Sequence, residues 1–274
     1  MRAVEWINVG YFALLLALTW MLRLPRSNRL RSTAFGAIGL GVVAITLTIS
    51  ALASLKISSV VRDWTPCLMT LLAYWQAGQF TKPPHRKLQQ ALVRLDDGLF
   101  DFCRRHFGSC PSWLLSYLEF AYFFCYPMVM LGVGSLYLLH QRQHVDQFWV
   151  AVMSAAYACY LTLPFFQVLP PWMLMQSPPD RGGACRPVNA WINRHLSVHV
   201  ATFPSGHVAA SVATALTLLM YSRPVGAVFV WLATSIAASC VVRRYHFTMD
   251  VVLGAVFGAL GFALSQCIVL GGTP

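Results

Sequence analysis

Apolar residues run through this chain in long, nearly unbroken stretches separated by short polar ones. The stretches cover residues 9–22, 34–55, 58–80, 113–139, 148–168, 208–221, 225–242 and 247–270. Most come near the ~20 residues a helix needs to cross a bilayer. None alternates apolar and polar positions as a barrel strand would, so satisfying the backbone in lipid predicts helices. The expected fold is all-α: a polytopic transmembrane helical bundle of about eight spans. The first stretch has no small-residue cleavage site and leads into an arginine-rich turn, which reads as a retained span and not a cleaved leader.

Between the third and fourth stretches, residues 82–111 change period. Leu88, Leu92, Leu95, Leu99 and Phe102 recur at helical spacing while the remaining faces carry charge. This segment is expected to be an interfacial amphipathic helix lying on the bilayer, or a surface helix packed on the bundle; either way it roofs one end. Asp96, Asp97 and Asp101, beside Arg94, Arg104 and Arg105, read as a solvated helix face. The aromatic stripe Tyr117, Phe120, Tyr122, Phe123 and Tyr126 reads as bundle packing and aromatic belt, or as the lining of a lipid-tail channel. Residues 1–57 are assigned to two accessory helices and residues 58–274 to a core of six helices.

Composition fits this reading: 57% of the residues are hydrophobic and 11% charged, far from a soluble domain. Cys67, Cys125, Cys159 and Cys267 fall inside the apolar stretches, where small apolar packing suits them. If all eight stretches cross, loops 23–33, 81–112, 172–203 and 243–246 share one side and hold 15 of the 20 Lys and Arg residues. The positive-inside rule puts that side in the cytoplasm. The net charge of +11 suits an anionic head group and equally an anionic bilayer. There is no CxxC and no Cys/His metal spacing; His195 and His199, four apart without a carboxylate or cysteine nearby, read as loop surface or substrate contacts. No metal, other cofactor or nucleic-acid partner is expected.

The longest loop, 172–203, ends in Pro204, Ser205, Gly206 and His207 at the head of an apolar helix. Ser205 can cap that helix, Gly206 lets a ligand approach the backbone, and the free N–H groups with the helix dipole make an anion seat. His246 and Asp250, four residues apart at the lip of the last span, lie on one helix face. The carboxylate can hold one ring nitrogen and free the other to attack. With arginines nearby, these groups form a phosphoryl-transfer set: one histidine takes the phosphoryl group, the other protonates the leaving oxygen, and cations and amides carry the charge.

In these residues the sequence resembles the type 2 phosphatidic acid phosphatase superfamily, membrane relatives of the vanadium haloperoxidases, whose signatures are KxxxxxxRP, PSGH and SRxxxxxHxxxD. The second is complete at Pro204–His207. The third keeps Ser239, His246 and Asp250 but has Cys240 at its arginine position. The first keeps Arg186 and Pro187 but has Pro179 in place of the lysine, with Arg181 the nearest cation. The stretch FFQVLPPWM, residues 165–173, is similar to the proline-rich end of a span in the inositol phosphorylceramide and sphingomyelin synthase branch.

The resemblance implies roles for named residues. His246 is the expected nucleophile, Asp250 its orienting partner and His207 the general acid. Ser205, Gly206, Arg186 and either Arg243 or Arg244 are the expected phosphate ligands, with Arg181 and Arg194 as alternatives to Arg186. The implied activity is metal-independent hydrolysis of a lipid or polyprenyl phosphate drawn from the bilayer. The alternatives are head-group transfer to a lipid hydroxyl acceptor through the same phosphohistidine, and a non-catalytic lipid-binding or transport protein on the same scaffold.

Overall fold

The computed structural model describes residues 1–107, 110–174, 185–198 and 203–271, and among these the chain is helical with no β-strand. Twelve α-helices follow in order: α1 (Ala3–Met21), α2 (Arg26–Leu52), α3 (Leu55–Ala77), α4 (Arg86–Phe107), α5 (Ser112–Phe123), α6 (Met128–Leu138), α7 (Val145–Tyr160), α8 (Pro171–Leu174), α9 (Arg186–His195), α10 (Gly206–Tyr221), α11 (Arg223–Val242) and α12 (Thr248–Gly271).

Every apolar stretch contains a helix, but the spans are less uniform than eight equal crossings, and the fifth stretch leaves the helix after Tyr160. Among the described residues four helices, α1, α2, α11 and α12, are long and apolar enough to cross a membrane, or five if the bent pair α5 and α6 is one span. The fourth stretch breaks by 69° between α5 and α6, where Pro127 follows Tyr126 and disfavours helical backbone before it. Helix α3 is long, yet its first turns carry Lys56, Arg62 and Asp63. Helices α7 and α10 have only 16 residues each, about 24 Å of rise.

Contacts at the helix ends order the bundle. At one end, Asp146 at the start of α7 accepts the Ala3 and Val4 N–H groups of α1, both at 3.2 Å. There Asp63 of α3 accepts from Arg2 at 2.6 Å, from Arg142 at 2.7 Å and from the Tyr137 hydroxyl at 2.7 Å. Arg62 forks onto Glu5 at 2.6 and 2.8 Å. Helices α10 and α12 finish at this end, where Gln147 contacts both Tyr221 and Gln266. Helices α10 and α12 therefore start at the opposite end. Helices α3 and α7 finish there, and the described parts of the cation-rich loops gather there.

Helix α7 is buried on nearly every side, Phe148, Trp149 and Met153 completely, as befits a helix apolar all round. The glycines of α12 let it lie against its neighbours: a Cβ on Gly254 would sit 2.6 Å from the Ser205 carbonyl oxygen, and one on Gly261 2.5 Å from that of Ala151. Such small-residue seams are how helices approach closely where lipid supplies no hydrophobic drive. Gly254→Ala is expected to cost about 1–3 kcal/mol by overpacking, read as a lower unfolding temperature of the detergent-solubilised protein. Because Ser205 N–H also donates to the Asp250 carbonyl at 3.0 Å, this seam fixes α10 against α12 where their first turns meet.

The amphipathic helix α4 docks by one edge only. Leu92 is buried with Val168 and Phe247, while Leu95, Leu99 and Phe102 stay exposed. Asp96 departs from the solvated face expected of it: it is 1% exposed and accepts the Thr248 N–H at 3.0 Å. A carboxylate there satisfies an orphan donor of α12 and faces the positive end of its dipole. Helix α9 has its polar face inward: Asn189 and Asn193 are buried while Val188 and Trp191 are exposed.

Candidate active site

Ser205 caps α10, its hydroxyl accepting from Val208 N–H at 3.5 Å, so His207 sits in the first helical turn. A Cβ on Gly206 would lie 2.8 Å from the Tyr160 ring; the glycine lets that ring close against the turn. At the head of α12, Asp250 reaches back to the Phe247 N–H at 3.1 Å, as an acidic third residue does in a capping box. The same oxygen, Oδ2, lies 3.4 Å from His246 Nδ1. A proton on Nδ1, facing the carboxylate, leaves Nε2 with its lone pair.

The two caps bring the two imidazoles together. His207 and His246, 39 positions apart, have ring centroids 5.9 Å apart and inclined at 65°, near enough for a single tetrahedral oxyanion to touch both. Asp250 is fully buried, and His246 is 6% exposed.

The arginines do not line the site independently. Arg243 Nε donates to Glu119 Oε1 at 2.5 Å, and Arg186 Nη1 approaches the same oxygen at 3.4 Å. Oε2 accepts from the Tyr245 hydroxyl at 2.8 Å and from Asn189 Nδ2 at 3.0 Å. Glu119 is completely buried on α5. Burial first, and then the Glu119 carboxylate, raise the Tyr245 pKa, which keeps its hydroxyl a donor. The Tyr245 ring stacks on Tyr122 at 3.8 Å, and Tyr122 lies 6.1 Å from His207, so this cation cluster adjoins the histidine pair.

Arg244 points elsewhere. Its backbone is left-handed with φ of 60°, and its guanidinium lies 3.5 Å over the Phe100 ring and 3.6 Å from Asp96 on α4. Arg194 and His195 are exposed on α9, and Arg181 and His199 lie outside the described residues. Cys240, at the third signature's arginine position, is buried.

A cavity of about 430 Å³ opens beside the histidines and is lined by both. Its walls come from α3 (Thr70, Tyr74), α6 (Val129, Met130) and α9 (Ile192, Asn193), with Tyr122 and Tyr126 between. Two members of the aromatic stripe thus face a chamber, while Phe120 is exposed. Among the described residues no group of three or more His, Cys, Asp or Glu side chains is gathered as metal ligands are.

Residues 172–270 match the family model of the PAP2 superfamily. This region is a PAP2 superfamily region. It contains all eight of the site residues read from the sequence, and members of the PAP2 superfamily are phosphatases or phosphotransferases. No curated protein and no solved structure matches the chain. Glu119 falls outside the matched stretch and was not singled out in the sequence; its signal was there, a lone acid amid the apolar SWLLSYLEFAYF of α5, where an ionisable group in a span marks function by default.

Proposed function

We propose that the protein is a membrane-embedded phosphohydrolase that cleaves a lipid or polyprenyl phosphate through a phosphohistidine. The observation that carries this reading is the convergence of His207 and His246, 5.9 Å apart, with Asp250 behind His246.

In this mechanism His246 Nε2 attacks phosphorus and forms the N–P bond as the bond to the lipid oxygen breaks. His207, protonated, gives its proton to that oxygen, and the dephosphorylated lipid alcohol leaves. Water then attacks the phosphohistidine, His207 takes its proton, and phosphate departs as His246 is regenerated. Asp250 orients the ring and balances its developing charge. Arg186 and Arg243, held on Glu119, and the N–H groups at the head of α10 stabilise the equatorial oxygens. Ser205 and Gly206 shape that seat, and Arg244 is assigned to bracing α4.

Activity is expected to be bell-shaped in pH, because the two histidines begin the cycle in opposite states. Initial rates on a soluble-headgroup lipid phosphate across pH check this, and a flat profile counts against paired histidine catalysis.

The wider assignment is a catalytic core of six helices within residues 58–274 and eight crossings in all, with residues 1–57 as accessory helices. The site end is assigned to the cytoplasm, since the cation-rich loops gather there. Transfer to a lipid hydroxyl shares every step up to the phosphohistidine, and the apolar chamber beside the histidines has room for an acceptor. Incubating purified protein with labelled lipid phosphate, with and without ceramide or diacylglycerol, separates the outcomes: free phosphate supports hydrolysis, and a labelled lipid product replaces it with transfer.

A further inference from the structure

Helix α4 carries an exposed surface that catalysis does not use. Its docked edge is Leu92, packed with Val168 and Phe247. Leu95, Leu99 and Phe102 form a neighbouring stripe that stays exposed, Leu95 at 58%. Lys87, Arg94 and Arg105, exposed as well, recur at spacings of seven and eleven, two and three helical turns, and so share one face. The rows 87–91–95–99 and 94–98–102 join that basic face to the apolar stripe through Ala91 and Gly98. A Cβ on Gly98 would meet nothing within 4 Å. The acids of α4 are answered by other cations, Asp101 by Arg104 at 3.1 Å and Asp96 by Arg244 at 3.6 Å.

Position and charge together say what covers this surface. The linkers 78–85 and 108–111 tie α4 to α3 and α5, at the end of the bundle where α10 and α12 start. An apolar stripe bordered by cations and held at that level suits the boundary between acyl chains and anionic head groups. The same helix grips the nucleophile's loop on both sides. Before His246, the Arg244 guanidinium lies 3.5 Å over the Phe100 ring. After it, Phe247 clusters with Leu92, and the Thr248 N–H donates to Asp96 at 3.0 Å. A shift of α4 therefore reaches the residues that flank His246.

We infer that α4 is a docking surface for an anionic bilayer leaflet, and that its seating there sets the loop carrying His246, so that leaflet charge governs turnover. The second half rests on the lipid-phosphate reading above; the first does not. Leaflet charge acts by favouring the seated arrangement, in which the stripe and the cations face lipid together.

The test places the full chain in vesicles of phosphatidylcholine alone or mixed with phosphatidylglycerol. Two quantities are read: amide hydrogen exchange along residues 86–107, and phosphate release from a lipid phosphate held at one mole fraction. Phosphatidylglycerol is expected to slow exchange along α4 and to raise release by about fivefold or more, an effect that fades at high salt. Combining Lys87→Gln, Arg94→Gln and Arg105→Gln, all at exposed positions, is expected to make both quantities equal in the two membranes. Asp96→Asn weakens the hold on Arg244, so it should keep the slowed exchange and lose most of the stimulation. Exchange that ignores phosphatidylglycerol, or that still responds to it in the triple variant, would overturn the surface. Slowed exchange with equal release from both membranes, or full stimulation in Asp96→Asn, would overturn the coupling. If the wild type hydrolyses no lipid phosphate in either membrane, the lipid-phosphate reading falls, while the exchange measurement still decides the surface.

Discussion

Replacing His246 with alanine is expected to lower phosphate release from a lipid phosphate by at least about 10⁴-fold, with the fold retained. The expectation follows from position. His246 sits between Asp250 and His207, and no other described histidine shares that contact. Its ring is backed by a capping carboxylate that α12 needs in any case, so the alanine variant leaves the Phe247 N–H bond to Asp250 in place. His207→Ala is expected to fall nearly as far, because the leaving oxygen then departs without a proton. The double variant should be little worse than His246→Ala alone, since residues acting as one unit are not additive. Turnover assays on the three purified variants decide this. Substantial activity in His246→Ala would remove the nucleophile, and a fully folded variant with an unchanged cellular phenotype would favour a lipid-binding role on the same scaffold.

The second large effect concerns Glu119. Glu119→Leu is expected to destabilise the protein by about 3–5 kcal/mol, the usual consequence of removing one partner from a buried ion pair. Arg243, 4% exposed, would lose the acceptor of its Nε, and the Tyr245 hydroxyl and Asn189 would lose theirs. Thermal unfolding in detergent measures it. The pair Glu119→Leu with Arg243→Leu should cost less than the sum of the single changes, because the two groups share one interaction. A strictly additive pair, or a loss below about 0.5 kcal/mol, would show that the cluster does not hold α5 to α11.

Much of this architecture was legible in the sequence. Long apolar stretches favour a helix in lipid, and each stretch contains one, although residues 161–168 are not helical. The two helix caps of the candidate site were legible: Ser205 and Asp250 begin helices by local hydrogen bonds that sequence spacing reveals. Span number was harder. Composition does not distinguish a straight crossing from the bent pair α5 and α6, although Pro127 marked the bend, and it does not shorten α7 and α10 to 16 residues. The amphipathic period located α4 but not its depth of docking, since Leu88 and Leu92 meet the bundle while Leu95 and Leu99, in the same stripe, do not. The pairing of Asp96 with Arg244 joins positions 148 apart, which no local period encodes. Helix α9 was hidden in a loop reading, and its inward asparagines emerge only once Glu119 is known to face them.

The central claim is that His246 becomes covalently phosphorylated while His207 serves the same phosphate. Rapid quenching of the purified protein with a lipid carrying a labelled phosphate tests it directly. The expected result is a protein-bound label, stable to base and labile to acid as a phosphohistidine is, formed by the wild type and absent from His246→Ala. A wild type that releases phosphate through many turnovers without such an adduct, or a label that persists when His246 is gone, would contradict it.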